Sequence, residues 1–215
     1  MTKIALLLIA AVVASPQDKP ASRPPRQAPS IYVSQKFGLT IKVPSGLSYC
    51  PLPKKWSGTD EGTVLFLEPP SACLDHGATS SATRLIAGFV PSVTVYYRAN
   101  TGRYDNFDGD IPPLRSTEEL AHQFCPRPLR SELTLLGQPA FTCRVDLSGN
   151  KVRTILATLD GSAEKIVVVT LLTTQDRLAG DQRVFENVVA AVTACRPASG
   201  NKQAATPLCP KGTAW

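Results

Sequence analysis

Asp75 and His76 stand side by side in the stretch CLDHGATSS, and Ser80 and Ser81 follow shortly after. A carboxylate, an imidazole and a hydroxyl are the groups of acyl transfer: the hydroxyl attacks a carbonyl, the imidazole takes its proton, and the carboxylate orients the imidazole. The spacing argues against an assembled set. A working base must be held by one group while it reaches another, and close neighbours on one loop seldom have that geometry. No G-x-S-x-G elbow presents a serine either. A small hydrolase built on Asp75 and His76 is therefore the alternative reading, and a turn or binding loop the preferred one.

Metal chemistry finds little support. His122 lies 46 positions after His76 in the sequence, which makes no H-E-x-x-H or comparable ligand pair. Asp105, Asn106, Asp108 and Asp110 offer the hard oxygens calcium takes. Counted from Asn106, however, the glycine position of an EF-hand loop holds Ile111 and the terminal glutamate position holds Thr117. An ordinary Asp/Asn/Gly turn accounts for the stretch. No catalytic residue, metal site or cofactor is expected.

Six cysteines, Cys50, Cys73, Cys125, Cys143, Cys195 and Cys209, include no C-x-x-C pair, so the close ligand spacing of a structural zinc site is missing. An even number in an exported chain suits disulfides. Neighbour pairing closes the shortest loops: Cys50 with Cys73, Cys125 with Cys143, Cys195 with Cys209. The first of these staples would draw Trp56, Asp60, Asp75 and His76 together. Trp56 follows Lys54 and Lys55 and precedes a glycine-containing loop, and an indole so placed can anchor a recognition surface. The competing reading is a Trp folded back over a sheet edge. If the chain has a binding face here, these four residues form it.

The start of the chain explains why an oxidising compartment is expected. Lys3 precedes an apolar run from Ile4 to Val13 and a small residue, Ala14, the n-region, h-region and cleavage site of a bacterial export signal. The run falls well short of the roughly 20 residues a spanning helix needs. Residues 1–14 are thus read as a signal peptide cut before Ser15. Residues 15–30 contain five prolines and almost no large apolar side chain, a composition that favours an extended, solvated tether. Residues 31–195 form one domain, and 196–215 a C-terminal tail that holds Cys209. No later segment is long and apolar enough to span a bilayer, so the mature chain is expected to have no transmembrane span. The formal charge is +6, and +5 once Lys3 leaves. Its basic residues are not clustered with aromatics, which speaks against nucleic acid.

The elements that must position any site follow from periodicity. Leu39, Ile41 and Val43 alternate with Thr40 and Lys42, a strand with one buried face that ends at Pro44-Ser45-Gly46. Val64 to Leu67 is a short apolar strand. Residues 83–97 divide at Pro91 into a strand ending near Val90 and another over 92–98. Ser116 and Glu119 form a capping box for a helix that carries Leu120, Ala121 and Phe124 inward and stops before Pro126. Four strands follow at 131–136, 139–147, 151–159 and 165–173, with turns at Gly137-Gln138, Gly149-Asn150 and Asp160-Gly161. Val184, Phe185, Val188, Val189 and Val192 recur at helical spacing, with Asp181 near the start where a carboxylate suits the helix dipole. The predicted class is α+β: an antiparallel β-sheet packed by helices and stapled by disulfides.

Three segments carry a resemblance: FGLTIKVPSGL at 37–47, LLGQPAFTCRVDL at 135–147, and the strand KIVVVTLLT with the later helix segment VFENVVAAV at 184–192. With them the chain resembles the PsbP-like proteins across most of residues 31–195. The resemblance implies an antiparallel sheet between helices and an accessory or binding module, not an enzyme. The six cysteines and the inserted segment 49–81 depart from the usual pattern, so no partner is carried over. The expected role is an exported, monomeric, non-enzymatic module that binds an envelope or secreted protein, located in the periplasm or outside the cell. An inhibitor or immunity protein against a toxin enzyme would look the same in sequence.

Overall fold

The computed structural model describes residues 22–23, 26–27, 31–34, 36–51, 61–68, 73–74, 90–102, 112–195 and 209–210. The first half of the chain supplies β1 (Ser22–Arg23), β2 (Arg26–Gln27), β3 (Ile31–Ser34), β4 (Leu39–Lys42), β5 (Ser48–Pro51), β6 (Glu61–Phe66), β7 (Cys73–Leu74) and β8 (Ser92–Ala99). The second half supplies helix α1 (Thr117–Phe124), β9 (Leu129–Leu135), β10 (Gln138–Leu147), β11 (Lys151–Leu159), β12 (Lys165–Thr174), helix α2 (Leu178–Ala191) and β13 (Val192–Ala194). The class is α+β, with every strand pairing antiparallel.

The main sheet has eight strands in the order β2-β5-β6-β8-β12-β11-β10-β9. From β9 to β12 it is a meander, because each turn carries residues that accept a left-handed backbone. Leu136 (φ 57°) and Gly137 (φ 72°) join β9 to β10, and Gly149 (φ 73°) with Asn150 (φ 58°) joins β10 to β11. Two successive positive φ values match the right-handed twist of the flanking strands. The first turn is thus centred one residue earlier than Gly137-Gln138, and it places a leucine where a side chain is strained. Leu136 packs against the main core, which offsets that strain. The third turn is a longer loop, in which Asp160 accepts from the Lys165 amide at 2.9 Å and the Ser162 hydroxyl at 3.0 Å.

Each face of this sheet has its own cover. On one face Val93, Val95, Tyr97, Leu156, Val167, Val169 and Leu171 meet α2 through Phe185, Val188 and Val189. The small sheet β13-β4-β3 joins the same core through Tyr32, Leu39, Ile41 and Val192. The Phe37 ring meets that of Tyr97 edge-on, with centroids 5.1 Å apart. On the other face Ile155, Ala157, Leu159, Ile166 and Val168 pack with Leu114, Leu120, Cys125 and Cys143 under α1. Because both faces are covered, β11 and β12 read as near-continuous apolar runs and not as strict alternation. At 25 cal/mol per Å², a fully buried Leu or Phe side chain contributes about 1.5–3 kcal/mol, and the α2 face holds the larger share of the buried apolar side chains.

Helix α1 starts where the capping box places it. Ser116 Oγ accepts from the Glu119 amide at 3.0 Å, and Glu119 Oε2 accepts from the Arg115 amide at 2.8 Å, one residue before the cap. The helix ends at Phe124 as Cys125 turns extended, and Pro126 could not donate to continue it. Cys125 and Cys143 are joined by a disulfide (S–S 1.98 Å), and Cys195 and Cys209 by another (2.06 Å). Of Cys50 and Cys73 only the strand backbone is described. Two pieces of the stretch read as a solvated tether also pair with strands. Arg26–Gln27 lies against Tyr49–Ser48 at one sheet edge, and Ser22–Arg23 lies against Leu74–Cys73.

Candidate functional site

Trp56, Asp60, Asp75 and His76 lie outside the described residues, as do Ser80 and Ser81 and the whole of the Asp105–Asp110 stretch. His122 is described, and it sits exposed on α1. The described structure therefore does not bear on either sequence-derived chemistry, and a different candidate site is found among the described residues.

It forms where the main sheet meets the start of α2. Strands β9, β10 and β11 run side by side there, and the register sets Leu129 beside Thr142, and Arg144 beside Thr154. Antiparallel partners directly opposite each other share a face, with Cβ atoms about 4.5–5.5 Å apart. That face is the one α2 covers, since Leu156 lies two residues beyond Thr154 and belongs to the α2 core. Helix α2 begins after the turn Gln175–Arg177, alongside these strands. A groove of about 560 Å³ opens between them, lined by Leu129, Thr142, Cys143, Arg144, Thr154, Gln175, Leu178, Ala179 and Gln182.

The lining is largely apolar, with Arg144 as its charged member. Leu129 is 68% exposed at the mouth. A single exposed leucine means little, but at the lip of an apolar groove it extends the apolar surface toward solvent. Arg144 Nη2 donates to Gln175 Oε1, and its Nε stands 3.4 Å from Asp146 Oδ1. Gln175 in turn donates to Asp146 at 2.9 Å. These bonds hold the guanidinium over the groove and leave several of its five donors for another acceptor. Thr142 spends its hydroxyl on the Ile155 carbonyl at 2.8 Å. Thr154 is only 9% exposed, and its hydroxyl has no hydrogen-bond partner among the described residues.

The turn that carries Gln175 is fixed from both sides. The Gln175 amide donates to the Asn150 carbonyl at 3.0 Å, and Asn150 Nδ2 donates to Asp176 at 3.2 Å. On the helix side, Arg177 Nε lies 3.2 Å from Asp181 Oδ2, and the same oxygen accepts from the buried Thr173 hydroxyl. Arg177 also donates to Glu68. That bond to Glu68, and then Asp181, hold the guanidinium above its ordinary range against the opposing effect of burial. Asp181 thus does more than face the helix dipole: it locks the first turn of α2 to β12.

Of the groove residues only Cys143 was singled out from sequence, and as a disulfide cysteine. One signal was there to be read. In the alternation of β10, Arg144 falls on the same face as Ala140 and Thr142, so a charge appears on a strand face that elsewhere turns to the core. Leu129 and Ala179 left no such mark, because only the pairing of β9 with β10 and the placing of α2 bring them to one groove.

Compared with protein-family models and with curated protein sequences, the chain matches none. Among solved structures it is similar to the solution structure of cyanobacterial PsbP (CyanoP) from Synechocystis sp. PCC 6803. The two share 13% identity over 87% of this chain and 98% of that one, with a TM-score of 0.43. Among the described residues, no helix is long and apolar enough to cross a membrane.

Proposed function

We propose that this chain is an exported, non-enzymatic accessory module, monomeric by itself, that binds an envelope or secreted protein through the groove between β9–β11 and α2. The observation that carries the reading is the groove: an apolar trough with one charged member, walled by elements that are fixed by their own hydrogen bonds. A rigid wall of that kind suits binding, since little conformational freedom is lost when a partner docks. The expected signal at residues 1–14 and the disulfides fit a periplasmic or extracellular place of work.

The test is capture from an envelope extract with the oxidised chain, compared with the variants Ala179→Trp and Ala190→Trp. Ala179 lines the groove, whereas Ala190 is exposed further along α2. The expected result is a stoichiometric partner retained by the parent and by Ala190→Trp and lost from Ala179→Trp. A partner retained equally by all three would move the binding face away from the groove. Absence of any specific partner would remove the binding-module reading.

A further inference from the structure

The groove's chemistry says what it takes. Arg144 and Thr154 are direct cross-strand partners on one face and both line the groove, the first with guanidinium donors to spare and the second with a hydroxyl that no described residue satisfies. The Thr154 hydroxyl is not wholly enclosed, so an incoming group would replace water there. Thr154 is more than nine-tenths buried and lines the groove, so an acceptor that enters there can reach both groups. Asp146 partly balances Arg144, but its side chain is 72% exposed and the pair is of the weak, solvated kind. Around this polar corner the walls are apolar: Leu129, Leu178 and Ala179.

From this juxtaposition we infer that the groove recognises a peptide segment in which an apolar side chain adjoins a carboxylate: the side chain lies against Leu129, Leu178 and Ala179, and the carboxylate bridges Arg144 and Thr154. Charge complementarity sets the carboxylate, since the lining carries one cation and no anion. The volume is in the range of sites that hold a ligand of a few residues. The inference rests on the groove being the binding site and adds the chemistry of its occupant.

The experiment is a titration of the oxidised, isotope-labelled chain followed by amide NMR, with three probes: N-acetyl-Ala-Ala-Leu with a free C-terminus, the same peptide amidated, and decanoate. The expected result is saturable shifts at Leu129, Thr154 and Ala179 with the free peptide, and binding at least about tenfold weaker for the amidated one. Arg144→Gln should lose the same factor and no longer distinguish the two peptides. Thr154→Val should weaken the free peptide about threefold while leaving the unfolding midpoint unchanged or higher, because its hydroxyl holds nothing within the fold. A Thr154→Val variant that is clearly less stable would make Thr154 a structural residue and overturn its part. Equal binding of free and amidated peptides would overturn the carboxylate and leave the groove as the binding site. Decanoate binding as tightly as the free peptide would overturn the peptide in favour of a lipid acid. No groove shift with any probe at millimolar concentration would overturn the inference, while the dependence of partner capture on Ala179 decides the groove reading separately.

Discussion

At the scale of single residues, two buried polar side chains join segments that apolar packing alone would leave loosely set. Asn100 follows β8, and its Nδ2 donates to the carbonyls of Leu114 and Ala163, both at 2.8 Å, while its Oδ1 accepts from the Leu114 amide at 2.9 Å. One amide thus ties the approach to α1 and the β11–β12 loop to the end of β8. A carboxylate there would turn acceptors toward two carbonyls, so Asn100→Asp is expected to destabilise more than Asn100→Ala at neutral pH. The alanine should cost about 2–4 kcal/mol, three bonds at roughly 1 kcal/mol each. The aspartate should regain part of its loss near pH 4, where a protonated acid can donate once; urea unfolding at pH 7 and pH 4, each against the parent, reads both. Asp181 is the second case. Asp181→Ala strands the Thr173 hydroxyl, which is fully buried, and should cost about 1–3 kcal/mol. Adding Thr173→Val should recover much of that, whereas additive losses in the double variant would show that the two side chains act independently.

At the scale of elements, helix α1 is eight residues long and too short to persist alone, so its cap and its packing must both contribute. Ser116→Ala removes the acceptor for the Glu119 amide and is expected to lower stability by about 1 kcal/mol, with hydrogen exchange in α1 accelerating before that in β11 or β12. Uniform acceleration across all three would mean that the helix unfolds only with the whole fold. This element was legible in sequence because its signals are local: a capping box, three inward residues and a proline beyond the end. The same holds for β10 to β12, whose ends fall within a residue of those expected, since glycine and asparagine mark their turns. The elements that escaped did so for a physical reason. Strands β3, β5 and β13 span three or four residues each and are stabilised by distant partners, as when Val192 pairs with Ile41. Strand β4 was expected from alternation, but its place in a separate sheet with β13 depends on where α2 delivers the chain. The groove escaped on the same ground, because Leu129 and Ala179 come to one groove only through the register of β9 and the starting point of α2.

At the scale of the molecule, two crosslinks of similar span serve different parts of the fold, and that difference can be measured. The cysteines of the first lie 18 positions apart and those of the second 14, so a chain-entropy argument assigns each about 3 kcal/mol. Cys125 and Cys143 are both buried in the core beneath α1, and their bond ties the end of the helix to the middle of β10. Cys195 leaves β13 with its amide donating to the Gly38 carbonyl at 2.7 Å, and the crosslink fastens Cys209 to that edge. Cutting the first bond releases a layer of the core, whereas β13 retains its ladder with β4 when the second is cut. Replacing Cys125 and Cys143 together by alanine is therefore expected to lower global stability by about 2–4 kcal/mol. The same change at Cys195 and Cys209 should cost about 1 kcal/mol or less, because only constraints that the globally unfolded chain feels and the native core uses count in full. Urea unfolding of the two double variants decides the matter. A clear gap between them places the last crosslink at the margin of the cooperative unit, and equal losses would make the segment that ends at Cys209 as much a part of the core as α1.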